Sequence, residues 1–110
     1  MKTTNKVEIN GFTGMAPEVK TLKNGRKMAR FSIATDEVYK NKAGEWIKNT
    51  TWHPVVVWDK IAEKAGNTLN KSSKVAVLGK LRSRTYTDKT GIVRHITEII
   101  ALQLEPDYAA

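Results

Sequence analysis

Residues 50–66 read TTWHPVVVWDKIAEKAG. Trp52, Pro54, Val56 and Trp58 share one parity, and His53, Val55 and Val57 the other, which is the period of a β-strand. The strand then runs into a short helical pattern. Asp59 reads as its N-cap, with a carboxylate able to accept from the first-turn amides. Lys60–Ala65 reads as the helix, with Ile61, Ala62 and Ala65 turned inward, and Gly66 as the C′ residue. Two tryptophans on one face of such a strand need an explanation, because an indole is costly to leave in water.

The segments on either side are also strands. Asn5–Phe12 (NKVEINGF) alternates, and Gly11 and Gly14 allow a bend. Pro17–Leu22 is extended, and Lys23-Asn24-Gly25 is a hairpin-type turn. Met28–Tyr39 is a long strand with Ala29, Phe31 and Ile33 on one face. Asn41–Glu45 turns the chain into the strand Glu45–Trp58. After the helix, Lys71-Ser72-Ser73 leads into the strand Lys74–Tyr86. Thr87–Gly91 turns, and Ile92–Leu104 returns. Three strands, one helix and two strands argue against a parallel βαβ sheet. The expected fold is all-β with one short helix: a five-stranded OB-fold Greek-key barrel, with the helix between strands 3 and 4. Such a barrel often binds oligonucleotides on its face and loops. An SH3-like barrel or a small sandwich fits the same count of strands. The 110 residues suit one domain, residues 1–105, with 106–110 as a short frayed tail.

Nineteen Lys+Arg against eleven Asp+Glu give a net charge of +8. That balance suits a polyanionic partner when the cations gather with aromatics. No cysteine is present, so no disulfide, zinc knuckle or thiol nucleophile is available. No signal peptide or membrane-length apolar run is visible, so a cytoplasmic location and no membrane partner are expected. His53 and His95 have no carboxylate at ligand spacing, and no glycine-rich phosphate loop precedes a helix. No metal, no cofactor and no catalytic residue is therefore expected. The enzyme alternative is a metal-dependent nuclease using Asp36, Glu37 or Asp59. A further alternative is an assembly module that buries its tryptophans between subunits.

The aromatics and cations share faces. Even parity on the third strand joins Lys48 and Thr50 to Trp52 and Trp58. On the fourth strand it joins Lys80, Arg82 and Arg84 to Tyr86. Tyr39 stands just before the basic turn Lys40-Asn41-Lys42. Exposed rings beside cations suit single-stranded nucleic acid, whose unpaired bases offer bare π faces. A duplex reader needs an element fitted to a groove, and no such helix is visible. Trp46, beside a turn, and Phe31 are read as structural.

Four stretches carry a family likeness: NKVEINGFTGMAPEVK, ARFSIATDEVYKNKAGE, TTWHPVVVWDKIAEKAG and SKVAVLGKLRSRTYTDKTG, the last followed by TEII. Collinear over residues 5–104, they resemble the bacterial single-stranded DNA-binding protein family. The resemblance implies a non-catalytic OB-fold that forms homotetramers and coats single-stranded DNA during replication, recombination and repair. It implies stacking aromatics at Tyr39, Trp52, Trp58 and Tyr86. Its phosphate-contacting cations fall on Lys20, Lys42, Lys60, Lys71, Arg82, Arg84 and Arg94, to which parity adds Lys48 and Lys80. A primosomal N-type protein or an RNA-binding OB module is the alternative within the same architecture. Several departures stand out. Tyr39 and Tyr86 stand where the family often has Trp, and Trp58 where it often has Phe, which keeps a π face but alters its area. Pro54 replaces a family arginine and removes a ladder donor, so a bulge or unpaired position is expected there. Lys-Ser-Ser at 71–73 replaces Lys-Gly-Ser. The chain stops at EPDYAA, without the family's glycine- and proline-rich linker and acidic tip, so no tip-mediated partner is expected of it.

Overall fold

The computed structural model describes residues 2–106. Strands β1 (Val7–Thr13), β2 (Lys20–Thr21), β3 (Lys27–Lys40) and β4 (Trp46–Trp58) precede helix α1 (Asp59–Thr68). Strands β5 (Lys74–Thr87) and β6 (Val93–Pro106) follow it. The sheet order is β1-β5-β6-β4-β3-β2, and β1 also pairs with β3. Five strands therefore close into the expected Greek-key barrel. The extended 17–22 segment contributes only the two-residue β2 on the outside of β3, so α1 lies between β4 and β5 in this numbering. Strand β6 runs through Pro106, the first residue of the expected tail. The rest of that tail, residues 107–110, lies outside the described residues.

The core takes the odd parity on β3, β4 and β5, while on β6 a register shift opposite Leu78 and Gly79 brings even-numbered Leu104 inward after Ile99 and Ala101. Ala29, Phe31 and Ile33 of β3 meet Val55 and Val57 of β4, Val75 and Val77 of β5, and Ile99, Ala101 and Leu104 of β6. Ala62, Ala65 and Leu69 from the α1 segment pack into the same cluster, and α1 contacts β3, β4 and β6. Burying β-branched and aliphatic side chains from every wall is what stabilises so small a barrel.

Several local expectations are corrected. Asp59 is not the cap: Trp58 occupies that position without a side-chain cap bond. Asp59 takes a φ of 53°, a left-handed conformation that Asp tolerates better than most residues. Its carboxylate turns to Arg26 at 2.9 Å. Nor does Gly66 end the helix, which continues to Thr68. Glycine serves close approach there, since a Cβ would lie 2.5 Å from Val19 Cγ2. At Pro54 the β3–β4 ladder keeps its register, with Pro54 opposite Ser32. The Ser32 carbonyl accepts from Gly14 N at 3.0 Å, so it points towards β1 rather than β4. Ser32 and Pro54 thus form a non-hydrogen-bonded pair, and the proline takes no donor from that ladder. Ser72, standing where the family has glycine, sits at a φ of 60°.

Two hairpins run past the barrel. Beyond Thr35 and Thr51 the β3–β4 arm pairs to Lys40↔Trp46, and beyond Leu81 and Ile99 the β5–β6 arm pairs to Thr87↔Val93. Their tips are built alike. In each, the carbonyl of an Asn or Asp accepts from the amide of a glycine three residues on, and its amide donates to the carbonyl one residue later. Its side-chain oxygen also bonds two loop amides, Ala43 and Glu45 to Asn41, Thr90 and Ile92 to Asp88. Gly44 and Gly91 supply the positive φ that closes these turns.

Candidate nucleic-acid interface

Even parity faces outward, and the pairing joins the outer faces of three strands. Val56 of β4 stands beside Ile100 of β6 in the short parallel ladder, and Ile100 stands opposite Lys80 of β5. Trp52, Pro54, Val56 and Trp58 therefore lie on one side of the sheet with Lys80, Arg82, Arg84 and Tyr86, although Val56 and Ile100, which join the strands, are themselves buried. Neither strand alone reveals this; the parallel β4–β6 contact makes it.

Trp52 is 56% exposed and lies over Gly14, where a Cβ would come within 2.9 Å of the ring. The absent side chain leaves room for the indole to lie against the backbone. Beside it opens a cleft of about 640 Å³ lined by Met15, Arg30, Pro54, Val56, Arg84 and Glu98, among others. Trp58 is half-buried, with the Arg26 guanidinium 4.6 Å above its ring centroid and Lys60 just beyond it at the start of α1. One of its π faces is thus already occupied by a cation. Tyr86 is 45% exposed near the end of the β5–β6 arm, with Arg84 5.8 Å from its centroid. Tyr39 is 47% exposed, but it pairs with Ile47 and shares the opposite face of the β3–β4 arm. The four rings fall into two groups: three on the outer surface and Tyr39 behind it.

The cations divide as well. Arg82 Nη2 and Arg84 Nε both donate to Oε1 of Glu98, at 3.0 and 2.9 Å. Glu98 is 1% exposed although it sits on the outer face. Burial pushes its carboxyl pKa up, but the hydrogen bonds and charges of the two arginines outweigh this and hold it below the usual range. Each arginine spends one nitrogen on Glu98 and keeps further donors. Arg94 bonds Asp88 at 2.9 Å, and Lys48 lies 3.5 Å from Asp36. None of the ion pairs among the described residues involves Lys20, Lys42, Lys60, Lys71 or Lys80. Lys42 is in the β3–β4 tip, Lys60 in α1 beside Trp58, Lys71 in the α1–β5 loop, and Lys80 on the outer face of β5. Lys20, on β2, stands opposite Met28, which stands opposite Trp58, so it lies on the same side of the sheet two strands from Trp58.

Glu98, Arg30 and Met15 escaped the sequence reading. Glu98 carried a signal, being the one carboxylate of its parity between Ile96 and Ile100. As for the carboxylates a nuclease would use, Asp36 accepts from Thr50 at 2.6 Å and Asp59 pairs with Arg26. Among the described residues no three His, Asp or Glu side chains gather as metal ligands.

The family model described as the single-strand binding protein family matches residues 4–107. The chain belongs to that family. A single-stranded DNA-binding protein of Neisseria meningitidis serogroup A is 37% identical over 101 residues, which cover 92% of this chain and 58% of that protein. The chain thus spans little more than half the length of this curated relative. A solved structure of the Plasmodium falciparum SSB complex with ssDNA is similar at a TM-score of 0.82 and 33% identity, covering 96% of this chain and 94% of that one. The family membership agrees with the barrel and with the four stretches that first carried the likeness.

Proposed function

We propose that this chain binds single-stranded DNA without reading its sequence. Bases stack on Tyr39, Trp52, Trp58 and Tyr86, while Lys20, Lys42, Lys48, Lys60, Lys71, Lys80, Arg82, Arg84 and Arg94 follow the phosphates. The single observation that carries the reading is that the partly exposed rings of Trp52, Trp58 and Tyr86 share one side of the sheet with Lys80, Arg82 and Arg84. The solved relative in complex with ssDNA supports it. Stacking on flat rings tolerates any base, because every base has a π face. Each fold would cover about 4–16 nucleotides. The chain catalyses no reaction in this reading; it protects exposed strands during replication, recombination and repair in the cytoplasm. Assembly into a homotetramer, as in the family, would place several folds on one strand and raise avidity through effective concentration.

Trp52→Ala tests the stacking. Losing one platform should weaken oligothymidylate binding by about 1–3 kcal/mol, and by a similar factor for other single-strand sequences. Unchanged affinity would remove Trp52 from the interface. Competition among single-stranded DNA, single-stranded RNA and duplex DNA, with single-stranded DNA expected to win, tests the substrate. A preference for RNA would favour the RNA-binding alternative, since only the 2′-OH separates the two at a given site.

A further inference from the structure

Trp46 is 70% exposed, more than Trp52 and more than either tyrosine assigned to stacking. Its place in the ladder gives that exposure a direction. It pairs with Lys40, and its parity along β4 is that of Lys48, Thr50 and Trp52. Trp46, Trp52 and Trp58 thus stand six residues apart on one face of one strand. Six residues of strand advance about 20 Å at the usual rise. Lys40 Nζ lies 5.9 Å from the Trp46 ring centroid, and Lys48 stands between Trp46 and Trp52 with its side chain 64% exposed. Val38, opposite Lys48, is 61% exposed on the same face. A solvated, apolar and basic strip therefore continues outward from Trp52 to the tip of the arm, where Lys42 has no carboxylate partner among the described residues.

We propose that Trp46 is a further stacking platform, extending the nucleic-acid path along the outer face of the β3–β4 arm and past Trp52. The occupant is an unpaired nucleobase of the same strand that lies on Trp52. The strip is continuous with that interface; Asp36 on the same face offsets Lys48 at 3.5 Å, but Lys40 and Lys42 leave the tip basic, which suits a phosphate backbone rather than an apolar protein face. The inference rests on the single-stranded DNA reading. It also changes the geometry of the path, because Tyr39 faces away from Trp46 and Trp52. A strand that reached both Trp46 and Tyr39 would have to cross the arm at its tip.

Labelling the chain with 5-fluorotryptophan tests this without altering the fold. Three indole signals are expected, each assigned by one Trp→Phe substitution. The Trp46 signal should shift on adding oligothymidylate long enough to span two platforms. Trp46→Ala should weaken binding of that oligonucleotide about 5- to 150-fold, the loss of one stacked base, with Trp46→Phe restoring most of it. Its effect should shrink on an oligonucleotide too short to reach the tip. If the wild type binds but the Trp46 signal stays still and Trp46→Ala binds within twofold of it, the platform does not exist. If Trp46→Ala instead lowers the sedimentation coefficient of the free protein, with no shift on DNA, Trp46 is a subunit contact and the inference is overturned. A wild type that binds no single-stranded DNA overturns the reading beneath it as well.

Discussion

Arg82 and Arg84 show why a residue's charge does not by itself say what it does. Both were legible as cations on one face, yet both converge on a single oxygen of buried Glu98. The triad is asymmetric towards water. Glu98 is sealed, whereas the two arginine side chains remain 43% and 33% exposed. Removing both arginines would strand a buried carboxylate, at a cost on the order of 3–5 kcal/mol. Removing the negative charge by Glu98→Gln leaves cations that reach solvent, and should cost only about 1 kcal/mol. Urea unfolding of Arg82→Ala/Arg84→Ala beside Glu98→Gln measures the difference. Equal losses would mean that the triad is not an anchored carboxylate. The same geometry fixes where the remaining guanidinium donors sit, beside the cleft next to Trp52.

At the scale of elements, the two arms depend on their tips. Asp88 closes the β5–β6 arm, and its pKa is held from 3.8 down to about 2. The Thr90 hydroxyl contributes most, then Arg94, and the amides of Ile92 and Thr90 add to it. Its folded value lies below its unfolded one. The stabilisation is therefore complete above about pH 4 and is lost as the pH falls towards about 2. Amide exchange at Thr90 and Ile92 should accelerate across that window relative to exchange in the barrel. In Asp88→Ala it should already be fast at neutral pH. Flat exchange in the wild type down to the acid end of that window would show that the carboxylate does not hold the turn. Because Tyr86 and Arg84 ride on this arm, the tip also sets how firmly one ring of the proposed interface is presented.

For the whole molecule, the radius of gyration is 16.3 Å. A compact chain of this length would have a value of about 13 Å. The excess is the two arms, which carry rings and cations beyond the barrel wall. A net charge of +8 on so open a shape acts on a polyanion through counterion release. Of the nine proposed phosphate cations, Lys48, Arg82, Arg84 and Arg94 are already paired with carboxylates. If the other five, Lys20, Lys42, Lys60, Lys71 and Lys80, each neutralise one phosphate, log affinity should fall with log salt at a slope of about −3.5 per chain, at about −0.7 each. Fluorescence titration with oligothymidylate over a range of salt measures it. A slope near zero would mean that the affinity is not electrostatic.

The barrel was legible in the amino-acid order because its information is local. Alternation set Ala29, Phe31 and Ile33 on one face of their strand and separated Val55 and Val57 from Trp52 and Trp58, and Asn or Asp ahead of Gly marked the turns. Parity also put Trp52 with Trp58, and Arg82 with Tyr86. The sequence could not say that these two sets share a surface, because a parallel pairing of Val56 with Ile100 joins strands far apart in the chain. Nor could it give the fate of Asp59, which faces Arg26 rather than a helix amide, or of Glu98, drawn beneath two arginines. Trp46, Tyr39 and Trp52 likewise take their front and back from the cross-strand register. Periodicity decides which residues share a face of one strand; only long-range pairing decides which faces meet, and the proposed interface is made where they do.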